Sequence, residues 1–223
     1  MDSGLVRAPR HWIVWSVALF AATFLLGFLV KAVPVLRLDS LAGGVNAVNS
    51  PVLDFTALLL EQLDHPVVAG AILSVVFVAV LFVRGWRSAL AVCMIAGLGW
   101  ITTLVVKAVV AEPRPTASLA HPLVVDPSTL SYPSGHVVFA VCLTAALLMV
   151  CRRTVSRALV LVLGILFILV VAWSRLYVGV HYGTDVVGAL LNGAAGAILF
   201  AGLWNLAARR VFAGRTSGVA SSS

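Results

Sequence analysis

Six stretches of this chain run without a formal charge: residues 12 to 30, 66 to 83, 88 to 106, 135 to 151, 158 to 174 and 186 to 208. A helix needs about 20 mostly apolar residues to cross the hydrocarbon core of a bilayer, so each run is a candidate span, the fourth and fifth being the shortest. With 61% hydrophobic residues, 10% charged ones and a mean hydropathy of +1.10, the composition excludes a soluble globular domain. The expected fold is all-α: a polytopic membrane protein whose residues 1–208 form one bundle of six transmembrane helices. A polar cytoplasmic tail, residues 209–223, follows and is expected to be disordered.

The first run follows Arg7, Arg10 and His11, as the apolar part of a signal peptide would. It is too long for one, and no small-x-small cleavage site follows, so it reads as an uncleaved span. Between residues 31 and 65, Ser50 can cap a helix and Pro51 fits its first turn. Val52, Phe55, Leu59 and Leu63 then share a face that leaves out Asp54, Glu61 and Asp64. That pattern predicts a short helix lying at the membrane interface, a helix buried in the loop being the alternative.

Orientation follows from the basic residues, which favour cytoplasmic loops. With the N-terminus inside, Arg7, Arg10, Arg84, Arg87, Arg152, Arg153, Arg157, Arg209, Arg210 and Arg215 are cytoplasmic, ten of the fifteen basic residues, against the single acid Asp2. The other side holds Lys31, Arg37, Lys107, Arg114 and Arg175 with the remaining seven acids. Both termini are therefore expected in the cytoplasm of a cell with the chain in its plasma membrane. This clustering accounts for the net charge of +7 without a nucleic-acid partner. Cys93, Cys142 and Cys151 lie in or beside apolar runs with no CxxC or metal-ligand spacing, and read as small core residues.

Three stretches are polar where the composition does not call for it: "KAVVAEPRP" (107 to 115), "PSGH" (133 to 136) and "SRLYVGVHYGTD" (174 to 185). The topology, derived without them, brings all three to one depth at the outer face. Lys107, Arg114 and Arg175 can surround a dianion, the arginines offering planar forks that match phosphate oxygens. Pro133 to Gly135 stand where a helix begins and its unpaired N–H groups favour an anion. Gly135 lets the backbone approach closely, and Ser134 adds a hydroxyl. His181 and Asp185 are four apart and would share a helix face, the carboxylate holding the imidazole in one tautomer for nucleophilic attack. His136, at the same level, can protonate a departing oxygen. The chemistry this composes is phosphoryl transfer through a phosphohistidine, with both imidazoles expected near their ordinary pKa of about 6.5.

In order and spacing these residues resemble the three-part signature of the type-2 phosphatidic acid phosphatase superfamily, K-x6-R-P, P-S-G-H and S-R-x5-H-x3-D. Lys107, Arg114 and Pro115 fit the first part, Pro133 to His136 the second, and Ser174, Arg175, His181 and Asp185 the third, with no departure. The likeness covers about residues 60 to 205 and is to the membrane-bound lipid phosphatase branch, of the bacterial phosphatidylglycerophosphate or undecaprenyl-diphosphate phosphatase type. It implies a phosphatase without metal or other cofactor, in which His181 attacks phosphorus beside Asp185 and His136 is the general acid. Lys107, Arg114, Ser134, Gly135 and Arg175 would hold the phosphate of a lipid substrate: a polyprenyl diphosphate, phosphatidylglycerophosphate or phosphatidic acid, with the first slightly favoured.

Single residues have plainer readings. Glu112 and Asp126 read as solvated loop charges, and His11, His65 and His121 as loop or interfacial residues. The tryptophans, among them Trp12, Trp15, Trp86 and Trp204 near span ends, fit an aromatic belt. Ala189, Gly193, Ala197 and Ala201 form a small-residue stripe for close helix packing. The rival function is a lipid-phosphate binding or transport protein without turnover; a vanadate-dependent haloperoxidase is a third reading that six spans disfavour.

Overall fold

A computed structural model describes residues 4–48, 50–115, 123–124 and 130–213. His121, Asp126 and residues 214–223 of the expected tail lie outside them. The described residues form eight α-helices and no strand, only an isolated bridge between Pro113 and Leu130. The helices are α1 (Trp12–Ala32), α2 (Asp39–Asn46), α3 (Pro51–Glu61), α4 (Pro66–Arg84), α5 (Trp86–Val110), α6 (Gly135–Val150), α7 (Thr154–Tyr177) and α8 (Gly183–Ala213). Short 3-10 turns follow α1, at Pro34–Arg37, and α3, at Gln62–Asp64.

Five helices, α1, α4, α5, α7 and α8, are long and apolar enough to cross a membrane. The fourth apolar run gives only the 16-residue α6, about 24 Å long. Eleven of its residues are buried, and it packs against α5, α7 and α8. A helix surrounded by protein is not required to match the lipid thickness, which explains why its run is short. The helical segment also extends into the expected tail, since α8 continues through residues 209–213.

Small residues set the packing of α8. Ala189, Ala197 and Ala201 are fully buried, and a Cβ on Gly193 would stand 2.7 Å from Val141. A Cβ on Gly196 would meet the backbone oxygen of Gly99 on α5 at 2.9 Å, so only glycine admits that crossing. Trp12 lies over Gly202 and the Trp204 indole donates to Gly4 O at 2.7 Å, so these two tryptophans also close the end of the bundle.

The connection after α1 holds two helices where one was expected. The unexpected one, α2, contains Gly43 and Gly44, which disfavour a helix; Asn46 anchors it by donating to Tyr177 O at 2.9 Å. α3 begins at Pro51 as its sequence suggests, but Ser50 occupies the cap position without a side-chain hydrogen bond. Val52, Phe55 and Leu59 on its apolar face are 62 to 73% exposed, while Ala57 on the other side is buried against α7.

Glu112 is not a solvated loop charge. It is fully buried and ion-paired with Arg37, Nη2 to Oε1 2.7 Å, while the Arg37 guanidinium lies over the Tyr182 ring. Ala111, in the left-handed region at φ 51°, ends α5 and starts the turn toward Glu112. Removing one partner of a buried pair strands the other, so Arg37→Ala should destabilise the protein by about 3–5 kcal/mol. Thermal unfolding in detergent measures this; an unchanged midpoint would mean that the pair contributes nothing.

Candidate active site

The three polar stretches meet at one end of the bundle. Lys107 lies in the last turn of α5, Ser134 is the N-cap of α6, and Arg175 lies in the last turn of α7. Asp185 is in the first turn of α8. His181 is not on that helix. It sits in the connection between α7 and α8, after a turn in which Gly179 takes φ 82°. The pair forms nevertheless: His181 Nδ1 is 3.1 Å from Asp185 Oδ2, which also accepts the Tyr182 N–H at 2.8 Å. A carboxylate at a helix start attracts the N–H groups preceding it, and this draws the loop, with its imidazole, onto Asp185.

The start of α6 has features that suit an anion. Its first intrahelical bond runs from Val138 N to Ser134 O, which leaves the N–H groups of Gly135, His136 and Val137 ahead of the ladder. Ser134 N donates to Asp185 O at 3.3 Å, tying this end to α8. Among the described residues the buried Ser134 hydroxyl has no hydrogen-bond partner, as expected of a group that serves a guest. Lys107 Nζ donates to the carbonyls of Leu130 and Ser131, at 2.6 and 3.3 Å, and so holds the segment leading into α6. Arg114 Nη1 donates to Val180 O at 3.3 Å, beside His181.

Arg175 has no exposed surface. Its Nε donates to Ser174 Oγ at 3.2 Å and its Nη2 to Ala57 O at 3.1 Å, and Nη1 pairs with Glu61. Ser174 thus holds the arginine from below. His136 Nε2 lies 2.8 Å from Glu61 O and 3.3 Å from Arg175 Nη1, and its Nδ1 is 3.6 Å from Asp64 Oδ2. A carbonyl can only accept, so Nε2 carries the proton in this arrangement.

Four groups around this site did not stand out in the sequence. Glu61 and Asp64 follow the apolar face of α3, and the signal that could have found them is two acids placed just before a span with no base near in sequence. The Trp100 indole leaves the aromatic belt and donates to Asp64 Oδ1 at 2.9 Å. Tyr132, fully buried, fixes the segment before Ser134: its hydroxyl donates to Thr23 O at 2.6 Å, and its ring fills the space left by Gly27 and Gly188.

Electrostatics separate His181 from an ordinary imidazole. Burial, with the nearby positive charges of Lys107, Arg114 and Arg175 and the neighbouring His136, holds its pKa well below the usual 6.5. The expectation of an unshifted imidazole is corrected at this position. A lowered pKa means that the neutral form is complete above pH 6.5 and is lost only as pH falls through the lower value. Histidine nitrogen NMR of the folded protein should show the His181 imidazole still neutral at pH 6.5; titration at or above that pH would contradict the arrangement.

The PAP2 superfamily profile matches residues 88–209. Putative undecaprenyl-diphosphatase YbjG of Escherichia coli (strain K12) is 36% identical over 83 residues, 37% of this chain. The chain covers only 39% of that protein's length. Among solved structures, the transmembrane PAP2-type phosphatidylglycerolphosphate phosphatase from Bacillus subtilis superposes with a TM-score of 0.70 at 22% identity, covering 84% of this chain and 94% of that one. LpxE from Aquifex aeolicus gives 0.56 at 22% identity, over 72% and 92%. These two share the fold. The profile match runs from the start of α5 to near the end of α8, more than half of the sequence, and takes in all three polar stretches: the chain belongs to the PAP2 superfamily.

Proposed function

We propose that this protein is an integral membrane lipid phosphatase that works through a phosphohistidine. The observation that carries the reading is the meeting, at one end of an apolar bundle, of a buried His181–Asp185 pair, a buried Arg175 and an unpartnered Ser134 hydroxyl at a helix start.

In the proposed reaction the phosphate binds between the start of α6 and the guanidiniums of Arg175 and Arg114, with Lys107 beside it. Asp185 keeps the proton on His181 Nδ1, so Nε2 is free to attack phosphorus. The bond from phosphorus to the leaving oxygen breaks as His136 donates its proton to that oxygen. Water then attacks the phosphohistidine, gives a proton back to His136, and releases inorganic phosphate and His181. Oriented donors and cations stabilise the charge on the transferring group throughout, which is the larger share of such catalysis.

The substrate is read as an amphiphile entering sideways from the bilayer. A cavity of about 360 Å³ lies between α4 and α5, walled by Trp100, Ile101 and Leu104, with Lys107 and Gly135 at its polar end. This supports an apolar chain held in the wall with its phosphate in the site. A polyprenyl diphosphate is the first candidate, ahead of phosphatidylglycerophosphate and phosphatidic acid; the name of the E. coli relative supports that order. In the same reading α6 is a sixth span, α3 rests its apolar face on the membrane surface, both termini are cytoplasmic and the site faces outward.

The test is phosphate release by the purified protein in EDTA from these three lipids, with His181→Ala as the blank. Release that the blank lacks is expected, and loss of activity in EDTA restored by a divalent ion would contradict the cofactor-free mechanism. Binding of the lipids without release would favour the rival binding or transport protein. Asp185→Asn should lower kcat by about 10⁴, as loss of the orienting carboxylate does in a serine protease triad, because the imidazole takes the wrong tautomer. A loss below tenfold would show that His181 does not depend on it.

A further inference from the structure

Both places that suit a phosphate already hold a carboxylate of the chain itself. The Glu61 side chain pairs with Arg175, and the Asp64 carboxylate lies against the start of α6, where a Cβ on Gly135 would stand 2.6 Å from Asp64 Oδ2. The two acids come from one short stretch, the end of α3 and the turn that follows. We propose that Glu61 is an access-determining residue, an internal occupant of the phosphate seat that the substrate must displace. The proposal rests on the phosphatase reading for its meaning, but its test does not depend on turnover.

The donors of Arg175 make the competition concrete. A guanidinium has five N–H groups. Nε serves Ser174, one Nη2 hydrogen serves Ala57 O, and Nη1 faces Glu61 and His136. His136 Nε2 carries its own proton and takes none from Arg175, so two N–H groups remain, one on each terminal nitrogen, and a phosphate must compete with the Glu61 carboxylate for Nη1. The same residue also occupies His136, whose Nε2 proton goes to the Glu61 carbonyl. That carbonyl belongs to the last residue of α3, where a carbonyl can accept from a side chain as well. Glu61 therefore blocks the cation with its side chain and the proposed acid with its backbone.

Displacement is sterically open. α3 is held on its inner side by Ala57 O, by Glu61 and by Asp54, whose Oδ1 accepts the Tyr177 hydroxyl at 2.6 Å. Its outer face, Val52, Phe55 and Leu59, is exposed, so no layer of protein lies over it. An incoming phosphate replaces one anion by another at Arg175. Its preference over Glu61 sets how readily the seat opens.

The test is binding of inorganic phosphate to the full-length protein in detergent micelles, by titration calorimetry, for wild type, Glu61→Gln, Asp54→Asn and Asp39→Asn. If the seat is open about a tenth of the time, removing its occupant tightens phosphate binding about tenfold. Glu61→Gln should do this, and Asp54→Asn, which loosens α3 from outside the site, should shift binding in the same direction. Asp39→Asn, an exposed acid on the same side of the bundle, should change little. Unchanged or weaker binding in Glu61→Gln overturns the proposal, and so does an equal gain in Asp39→Asn, which would mean that only the general field had changed. Should Glu61→Gln fail to fold, Asp54→Asn decides alone. Wild type that binds phosphate but hydrolyses no lipid would sink the phosphatase reading and leave this one standing.

Discussion

Arg175 is a guanidinium with no exposed surface at the end of an apolar helix, and such a charge is tolerated only if neighbouring groups compensate it. Much of the site can be traced from that requirement. Ser174 supports Nε, the carbonyl of Ala57 takes Nη2, and Glu61 supplies the opposite charge. Satisfying Arg175 therefore helps to dock α3, alongside the packing of Ala57 against α7 and the Asp54–Tyr177 hydrogen bond. Burial, together with Lys107, Arg114 and this cation, holds the His181 pKa below its ordinary value. An unpaired charge costs several kcal/mol in such surroundings, so Glu61 can leave Arg175 only where another anion takes its place.

Precision at the site is set farther down the bundle. α8 carries Asp185 and is packed by small residues, with Gly196 against Gly99 of α5 and Gly193 against Val141 of α6. Close backbone approach fixes the relative height of α5, α6 and α8, and with it the positions of Lys107, Ser134 and Asp185. Tyr132 adds a second lock, since its ring fills the gap between α1 and α8 and its hydroxyl ends on α1. The glycines at 27 and 188 look unremarkable in a membrane sequence, yet each is where that ring must lie.

The runs without charge anticipated the five helices long and apolar enough to cross a membrane, and the shorter α6, to within a few residues; for the five, one physical requirement governs, an uncharged length near that of the bilayer core. The three polar stretches were legible for the converse reason: charge in such a chain demands an explanation. What escaped depends on contacts distant in sequence. Glu112 looked solvated because its partner, Arg37, lies some 75 residues earlier in the chain. α2 was missed because two glycines argue against a helix that only Asn46 and its bond to Tyr177 make worthwhile. Asp185 was read as sharing a helix with His181, and the distance came out right although the helix begins after the histidine, since the carboxylate binds the loop directly.

Glu61 and Asp64 were the least legible, and the reason bears on how the site works. Read along the chain, they are the polar side of an amphipathic helix, a pattern that predicts exposure to water. Read in the fold, that polar side is turned toward the cations of α7 and the start of α6, and the apolar side is what lies exposed. This helix has an exposed apolar face on one side and fixed positive charge on the other, and if, as proposed, the apolar face rests on the membrane, its docking responds to both. Binding of a lipid phosphate would change both at once, by bringing an anion to Arg175 and an acyl chain to the cavity beside Trp100, whose indole holds Asp64. The headgroup and the tail then act on the same short segment from opposite sides. Under the proposed lipid phosphatase reading, that coupling would favour amphiphiles over free phosphate, because only an amphiphile engages both.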